Sequence, residues 1–336
     1  VQHWKEGGHD KLCRKIKKAG GAEQYNANKK YAEAVAVAVE KCADDTKGQT
    51  CYICLEAVHP RTGEGLVRGC ACGDRDGVAS GRTGIAHVSC LAEEVKILVA
   101  EVEENNLGSK VFNARFPRWC TCSLCEQHYH GVVLCALGWA CWKTYLGRPE
   151  ADQVRRCAMS LLGNCLHDAD QYEDALCVRE AELATMRRLG ALEFSILSAE
   201  GNLANTYGRL GRNEEALRLK RDVYSGTLEL YGEEYGDTIL AALNYASTLG
   251  DLERFEEAKR VLRKVMPVAR PVWGENHEFT LKMRWVYALM LYRDDGATLD
   301  DLREAVTTLD ETERIARRVL GGTHPHVQGI ECELEA

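Results

Sequence analysis

From about residue 155 onward the apolar positions recur at helical spacing, and whole blocks of sequence return. Leu203, Ala204 and Tyr207 fall at i, i+1 and i+4, and Tyr245, Ala246, Leu249 and Tyr287, Ala288, Leu291 fill the same places in later copies. The run Glu214, Glu215, Ala216 returns 42 residues on as Glu256, Glu257, Ala258, and Glu173, Asp174, Ala175 precedes it by 41. Tyr231, Gly232, Glu233 returns as Trp273, Gly274, Glu275, again 42 on. A fourth copy, with Glu304, Ala305 and Leu320, Gly321, lies 47 on, which places a five-residue insertion near Asp294 to Thr298. A period of this size predicts stacked pairs of helices rather than one enzyme core. The small alanine in each first helix lets a neighbour approach closely. Gly211 stands where a helix needs a left-handed C′ residue, and Asn213 reads as the next N-cap, with Glu214 and Glu215 in the first turn. Asp170 and Glu253 replace the glycine-asparagine turn elsewhere, so those turns are expected to be built differently.

Upstream the pattern changes. Ala22 to Ala43, with its AVAVAV run, predicts a helix that acts as a spacer, and Leu91 to Glu104 is charged and apolar at helical periodicity. The longest apolar run, Val132 to Trp142, falls short of the roughly 18 residues that span a bilayer, so no integral membrane protein is expected. Between them, cysteine pairs replace periodicity.

A length of 336 residues suggests two or three domains, and 45% hydrophobic residues are enough to bury a core. Sixteen cysteines are too few for a disulfide scaffold. Their grouping in CxC and CxxC pairs reads as metal ligation in a reducing compartment, hence an intracellular protein of cytoplasm or nucleus. The chain opens at Val1 with neither initiator Met nor apolar leader, and reads as a fragment or processed product. The net charge is -8, and residues 147–336 hold 24 basic against 34 acidic side chains. That excess argues against nucleic acid as the main partner. The basic cluster Lys11, Arg14, Lys15, Lys17 and Lys18 fits a nucleic-acid contact or simply a solvated helix face.

Four close pairs carry the chemistry: Cys51 and Cys54, Cys70 and Cys72, His87 and Cys90, Cys122 and Cys125. Eight such donors supply two tetrahedral zinc sites with no coordination position left for water, so they are structural and not hydrolytic. Cys120 also forms a CxC with Cys122, and His59, beside Pro60, reads as a loop residue. The order of four Cys, one His and three Cys resembles the RING-CH class of RING finger. The resemblance implies a cross-brace, with Cys51, Cys54, His87 and Cys90 on one zinc and Cys70, Cys72, Cys122 and Cys125 on the other, and favours Cys122 over Cys120. It also implies a ubiquitin ligase whose two apolar loop residues, here Ile53 and Leu124, grip a ubiquitin-conjugating enzyme. The gaps from Cys72 to His87 and from Cys90 to Cys122 are longer than is usual in that family. The tryptophan expected soon after the sixth ligand is absent, and Trp119 comes much later.

The opening HWKEGGHDKLC resembles the end of a MYND finger, with His9 and Cys13 as its last two zinc ligands and the others upstream of Val1. Cys42, Cys135, Cys141, Cys157, Cys165 and Cys177 read as small packing residues on helices. The C-terminal half, through NLANTYGRLGRNEEAL and LYGEEYGDT, resembles the tetratricopeptide (TPR) repeats of kinesin light chain. That resemblance implies an interaction array whose groove holds a protein or peptide, with Asn202, Asn205 and Asn244 either reaching the ligand backbone or merely capping and facing solvent. No GxxxxGK[ST], GxSxG or HExxH motif occurs, and no catalytic side chain is assigned.

The expected organisation is thus mainly α: a MYND remnant (1–20), a helical linker (21–48), a small zinc-binding RING-like module (49–131), a linker helix (132–154) and an α-solenoid of about four TPR-type helix pairs (155–330). The expected function is a zinc-binding TPR adaptor with RING-CH-type ligase activity. Its alternative is a scaffold with no enzymatic partner.

Overall fold

Fourteen helices and one small hairpin make up the described residues of the computed structural model, which are 9–70, 72, 84–322 and 324–335. The mainly α architecture read from the periodicity is what forms. The chain divides into two compact units, Val1–Thr185 and Met186–Ala336.

In the first unit, α1 (His9–Ala19) and α2 (Ala22–Lys41) precede a stretch whose described residues have almost no regular structure. Its hairpin is two residues deep: β1 (Val67–Arg68) pairs antiparallel with β2 (Ile85–Ala86), Val67 opposite Ala86. Then follow α3 (Val88–Glu104), α4 (Gly108–Arg115), a 3-10 turn (Phe116–Trp119), α5 (Gly131–Tyr145), α6 (Gln153–Asp168) and α7 (Tyr172–Arg188), within which the division between units falls. The apolar run at 132–142 lies in α5. Helices that are apolar all round are core helices, and Val133, Leu134, Leu137, Ala140 and Cys141 are indeed buried. Segment 21–48 does more than connect. Val35 and Ala38 of α2, with Cys42 at its C-cap, belong to the same core as Cys51, Cys70 and Cys122. Gln24 donates to the Lys143 carbonyl at 3.0 Å, and the Lys143 ammonium sits 3.5 Å over the Tyr31 ring, so α2 is tied to α5.

The helix pairs follow the repeat. The first, α6 and α7, lies almost wholly in the first unit. The second unit holds α8 (Glu193–Arg209) with α9 (Asn213–Tyr231), α10 (Gly236–Asp251) with α11 (Phe255–Trp273), α12 (Glu278–Tyr292) with α13 (Leu299–Leu320), and a final α14 (Pro325–Glu335). The repeated alanines are the close-contact positions: Ala204, Ala246 and Ala288 of the first helices and Ala216, Ala258 and Ala305 of the second are all buried. The insertion near 294–298 is a short loop ending in a capping box, in which Thr298 and Asp301 cap each other's backbone.

Two expectations about the turns need correcting. Asp170 and Glu253 do not build different turns. They adopt φ of 58° and 59°, against 72° at Gly211. The same bond closes all three, from Gln171, Arg212 and Arg254 N–H to the carbonyls of Leu166, Tyr207 and Leu249, each at 2.9 Å. The geometry of the repeat overrides the local preference of the residue. Asn213 is likewise not the N-cap of α9 but its first helical residue. Arg212 precedes it and reaches forward to Glu215, an ion pair that Arg254 and Glu257 repeat in α11 at 2.7 and 2.8 Å.

A left-handed backbone costs a non-glycine residue about 1–2 kcal/mol, while glycine adds unfolded-state entropy of about 0.5–1 kcal/mol. Glu253→Gly is therefore expected to stabilise the second unit by about 0.5–1 kcal/mol, read as a raised urea midpoint at unchanged slope. Asp170→Gly should show no such gain, because it also loses the hydrogen bond from the Tyr172 hydroxyl.

Candidate metal centres

The stretch from 51 to 128 is built on one turn used three times. Cys51 N–H donates to the Glu56 carbonyl at 3.0 Å while Leu55 N–H returns to the Cys51 carbonyl at 2.8 Å. Cys122 with Gln127 and Glu126 repeats it at 2.9 and 2.9 Å, and His59 with Glu64 and Gly63 repeats it again at 2.9 and 2.9 Å. The fifth residue of each turn is left-handed: Leu55 at 66°, Gly63 at 70°, Glu126 at 60°. In the two cysteine copies a backbone N–H also points at sulfur, Ile53 to Cys51 Sγ and Leu124 to Cys122 Sγ, each at 3.4 Å. Such turns aim both sulfurs of a CxxC pair at one point.

The chain brings the pairs together in alternation. Cys51, Cys54, His87 and Cys90 form one cluster and Cys70, Cys72, Cys122 and Cys125 another, with the donor atoms of each within 4.8 Å of one another. His87 caps α3 and Cys90 sits in its first turn, so one helix start supplies half of the first cluster. The second joins the hairpin end to the third knuckle. All but Cys54 and Cys125 are buried, and the cysteines carry no disulfide.

These clusters can hold a metal ion, and their spacing fits a tetrahedral one. Metal–sulfur bonds of about 2.3 Å and metal–nitrogen bonds of about 2.0–2.1 Å set sulfurs about 3.8 Å apart and sulfur about 3.5 Å from nitrogen. Cys72 and Cys122 Sγ are 3.6 Å apart, and His87 Nδ1 lies 3.4 Å from Cys54 Sγ and 3.6 Å from Cys90 Sγ. Nδ1 is therefore the nitrogen offered to the cluster, while Nε2 is buried without a closed hydrogen bond among the described residues. Burial lowers the His87 pKa, against the Ala57 backbone that raises it, which leaves a neutral donor. In the second cluster the Cys70 thiol holds Cys122 well below the usual thiol range, and hydrogen bonding to Cys122 pushes Cys70 far up. One negative charge is accommodated; further thiolates need a cation beside them.

The middle turn explains His59. It is a loop residue, as its place beside Pro60 suggests, but a buried one, with its ring edge-on to His87 at 5.3 Å between centroids. Its Nδ1 accepts from Thr62 N–H at 3.2 Å and meets the Thr62 hydroxyl at 2.9 Å. Glu64 then accepts from Ser89 N–H at 3.0 Å, in the first turn of α3. Where the other knuckles carry ligands, this one carries side chains that orient the His87 ring and fix the helix start bearing Cys90, the supporting role that outer partners play at metal sites. Only the turn's similarity to its neighbours, invisible as spacing, would have revealed it.

The remaining predicted residues are spread widely. Cys13 is exposed and joins neither cluster, and the side chain of His9 and residues 1–8 lie outside the described part. Cys120 turns away from the second cluster and donates to the Pro117 carbonyl at 3.1 Å. Trp119 is fully buried, edge-on to Tyr145 of α5. Ile53 is 39% exposed, but Leu124 is half-buried and packed on the core. Leu55 and Val58, not singled out by sequence, are 74% and 57% exposed beside Ile53. In the second unit Asn202, Asn205 and Asn244 come together. They line one concavity of about 310 Å³ between α8, α9 and α10, with Phe194, Leu197 and Asp237.

Gly84 shows how tightly the second cluster is closed. A Cβ there would lie 2.5 Å from Cys70 Sγ and 3.1 Å from Cys72 Cβ, so Gly84→Ala must displace ligands. With metal supplied to both clusters, this variant is expected to retain an ion at the first alone; full retention at both would contradict the geometry.

Comparison with known proteins supports the repeat half. Residues 195–270 match the tetratricopeptide repeat family. Among solved structures the chain is similar to BtubC (BKLC) from P. vanneervenii, at 15% identity and a TM-score of 0.51, over 60% of this chain and 80% of that one. It is also similar to nearly identical TPR-like repeats assigned to a kinesin light chain of Podosopora anserina, at 17% identity and a TM-score of 0.46, over 70% of this chain and 98% of that one. No curated protein sequence matches the chain. Among the described residues no helix is long and apolar enough to cross a membrane. The repeats mark a protein-interaction scaffold with a TPR-like helical fold.

Proposed function

We propose that the chain is a zinc-stabilised adaptor whose TPR array recruits a protein partner and whose RING-CH-like module recruits a ubiquitin-conjugating enzyme. The observation that carries this reading is the alternation of the ligand pairs, first with third and second with fourth, which is the cross-brace order. Zinc suits the donor set of seven thiols and one imidazole; when bound, it cross-links the loops and takes no part in chemistry. Cysteines without disulfides fit a reducing, intracellular compartment.

A ligase of this type supplies no nucleophile. It holds a charged conjugating enzyme and its target together, so its contribution is proximity and orientation. Ile53 offers the apolar contact, joined here by Leu55 and Val58. Leu55 presents a large exposed side chain from a left-handed backbone, a strained position at which Gly63 stands in the sister turn. Such strain on an exposed apolar residue points to a contact surface. In the second unit, Asn205 and Asn244, beside Asn202, offer side-chain amides to an extended peptide backbone in the α8–α10 groove. The half-buried Leu124 favours a second reading, a scaffold without an enzymatic partner, because one of the two expected docking residues is committed to the core.

Two zinc ions per chain are expected by mass spectrometry of the native protein, and Cys54→Ser and Cys72→Ser should each lose one. Ile53→Ala and Leu55→Ala should lower self-ubiquitination at least tenfold at unchanged zinc content. If the native chain shows no self-ubiquitination across a panel of conjugating enzymes, the ligase reading fails and the scaffold remains. For the groove, Asn205→Ala with Asn244→Ala is expected to weaken partner binding about tenfold or more without altering thermal stability.

A further inference from the structure

Three polar side chains meet at the last repeat without bonding one another directly. Glu278 opens α12, and His324 and His326 flank Pro325 at the start of α14. Glu278 Oε1 stands 3.6 Å from His326 Nδ1 and 3.8 Å from His324 Nε2, and the three donor atoms lie within 4.8 Å of one another. These separations are too long for hydrogen bonds. They are near the spacing of donors around one cation, where bonds of about 2.1 Å put neighbouring N and O ligands about 3.0–3.4 Å apart. His326 Nδ1 is buried and has no hydrogen-bond partner among the described residues. A buried ring nitrogen in that state calls for an ion or a water. Burial also lowers the His326 pKa, so its ring is a neutral donor.

We propose that Glu278, His324 and His326 form a third metal site, for a borderline divalent cation such as zinc or nickel, independent of the cysteine centres and of the ligase reading. Two imidazoles and a carboxylate are a donor set that such ions accept. Capping alone accounts for His324: its Nδ1 accepts the His326 N–H at 3.2 Å, as His277 accepts from Phe279 at 3.3 Å in the preceding repeat. It does not account for His326 or Glu278. Because Nδ1 accepts that bond, the free His324 ring carries its proton on Nε2. Metal binding at Nε2 moves the proton to Nδ1 and gives up the capping bond, with no net proton change. That rearrangement, and the charge of Lys282, which also acts on His326, make the site weaker than the thiolate clusters. It fills after them and clamps α14 onto α12.

The test uses the full chain without an affinity tag, loaded with two equivalents of zinc so that the weaker third site stays open, and titrates nickel by calorimetry. One further equivalent is expected, and nickel should raise the melting temperature. His326→Ala and Glu278→Gln should each weaken nickel binding at least tenfold and abolish the shift. Both leave the His324 cap in place, and equal helicity by circular dichroism checks that they fold. Nickel on thiolate absorbs strongly in the near ultraviolet and on this donor set does not, so binding at the cysteines is told apart. No binding, or binding that neither variant weakens, overturns the proposal.

Discussion

The whole of the first unit depends on converging eight donor side chains on two points. Among the described residues between Cys51 and Val88 the regular structure is a hairpin of two-residue strands. No extended ladder of backbone bonds holds these described residues, while each residue fixed costs about 1–2 kcal/mol of conformational entropy. The clusters supply the missing constraint. Cys54 meets His87 33 residues away, and Cys72 meets Cys122 50 residues away, and because the pairs alternate, neither loop closes without the other. Binding an ion to such a cluster is folding free energy.

The repeats solve the same problem by other means. Within the second unit each helix pair buries its alanine faces on the next, so stability accrues from neighbour to neighbour. That regularity is why the turns agree so closely. Once α10 and α11 are placed by Ala246, Leu249, Ala258 and Leu262, all buried, the connecting residue must be left-handed, whatever its identity. Glu253 takes a conformation suited to glycine because packing on both sides leaves no alternative.

This difference decides what could be read from sequence. Periodicity gave the helix pairs, since every copy restates the pattern, and residue type with spacing singled out eight side chains that the fold gathers into two clusters able to hold a metal ion. What escaped was whatever depends on backbone conformation rather than residue type. His59 is the loop residue it reads as, but its support of His87 escaped because its turn is recognised only by a hydrogen-bond pattern shared with Cys51 and Cys122. Leu55 and Val58 were missed because exposure of an apolar side chain leaves no mark on the pattern. Asp170 and Glu253 misled because local preference was allowed to outvote packing. The α2 segment read as a spacer because its apolar residues alternate with no clear helical face, yet Val35, Ala38 and Cys42 reach the common core.

The two solutions meet in α5. At its start, Val133 and Tyr129 press so closely on Gly69 that a Cβ there would lie 2.7 and 2.9 Å from them, and His130 N–H donates to the Gly69 carbonyl at 3.2 Å. Gly69 adjoins the ligand Cys70. Five residues beyond Val133, Gly138 admits Cys165 of α6 at 2.7 Å from where its own Cβ would be. Close approaches of this kind leave no slack, because packed interiors transmit displacements of even a methylene. The same rigid helix is thus held against the second cluster at one end and against the first helix of the repeat pattern in its middle. A change in the ligand loops therefore reaches α6 through α5 by direct packing, and the cysteine-bearing segment and α6 are joined through a packed interior instead of a tether.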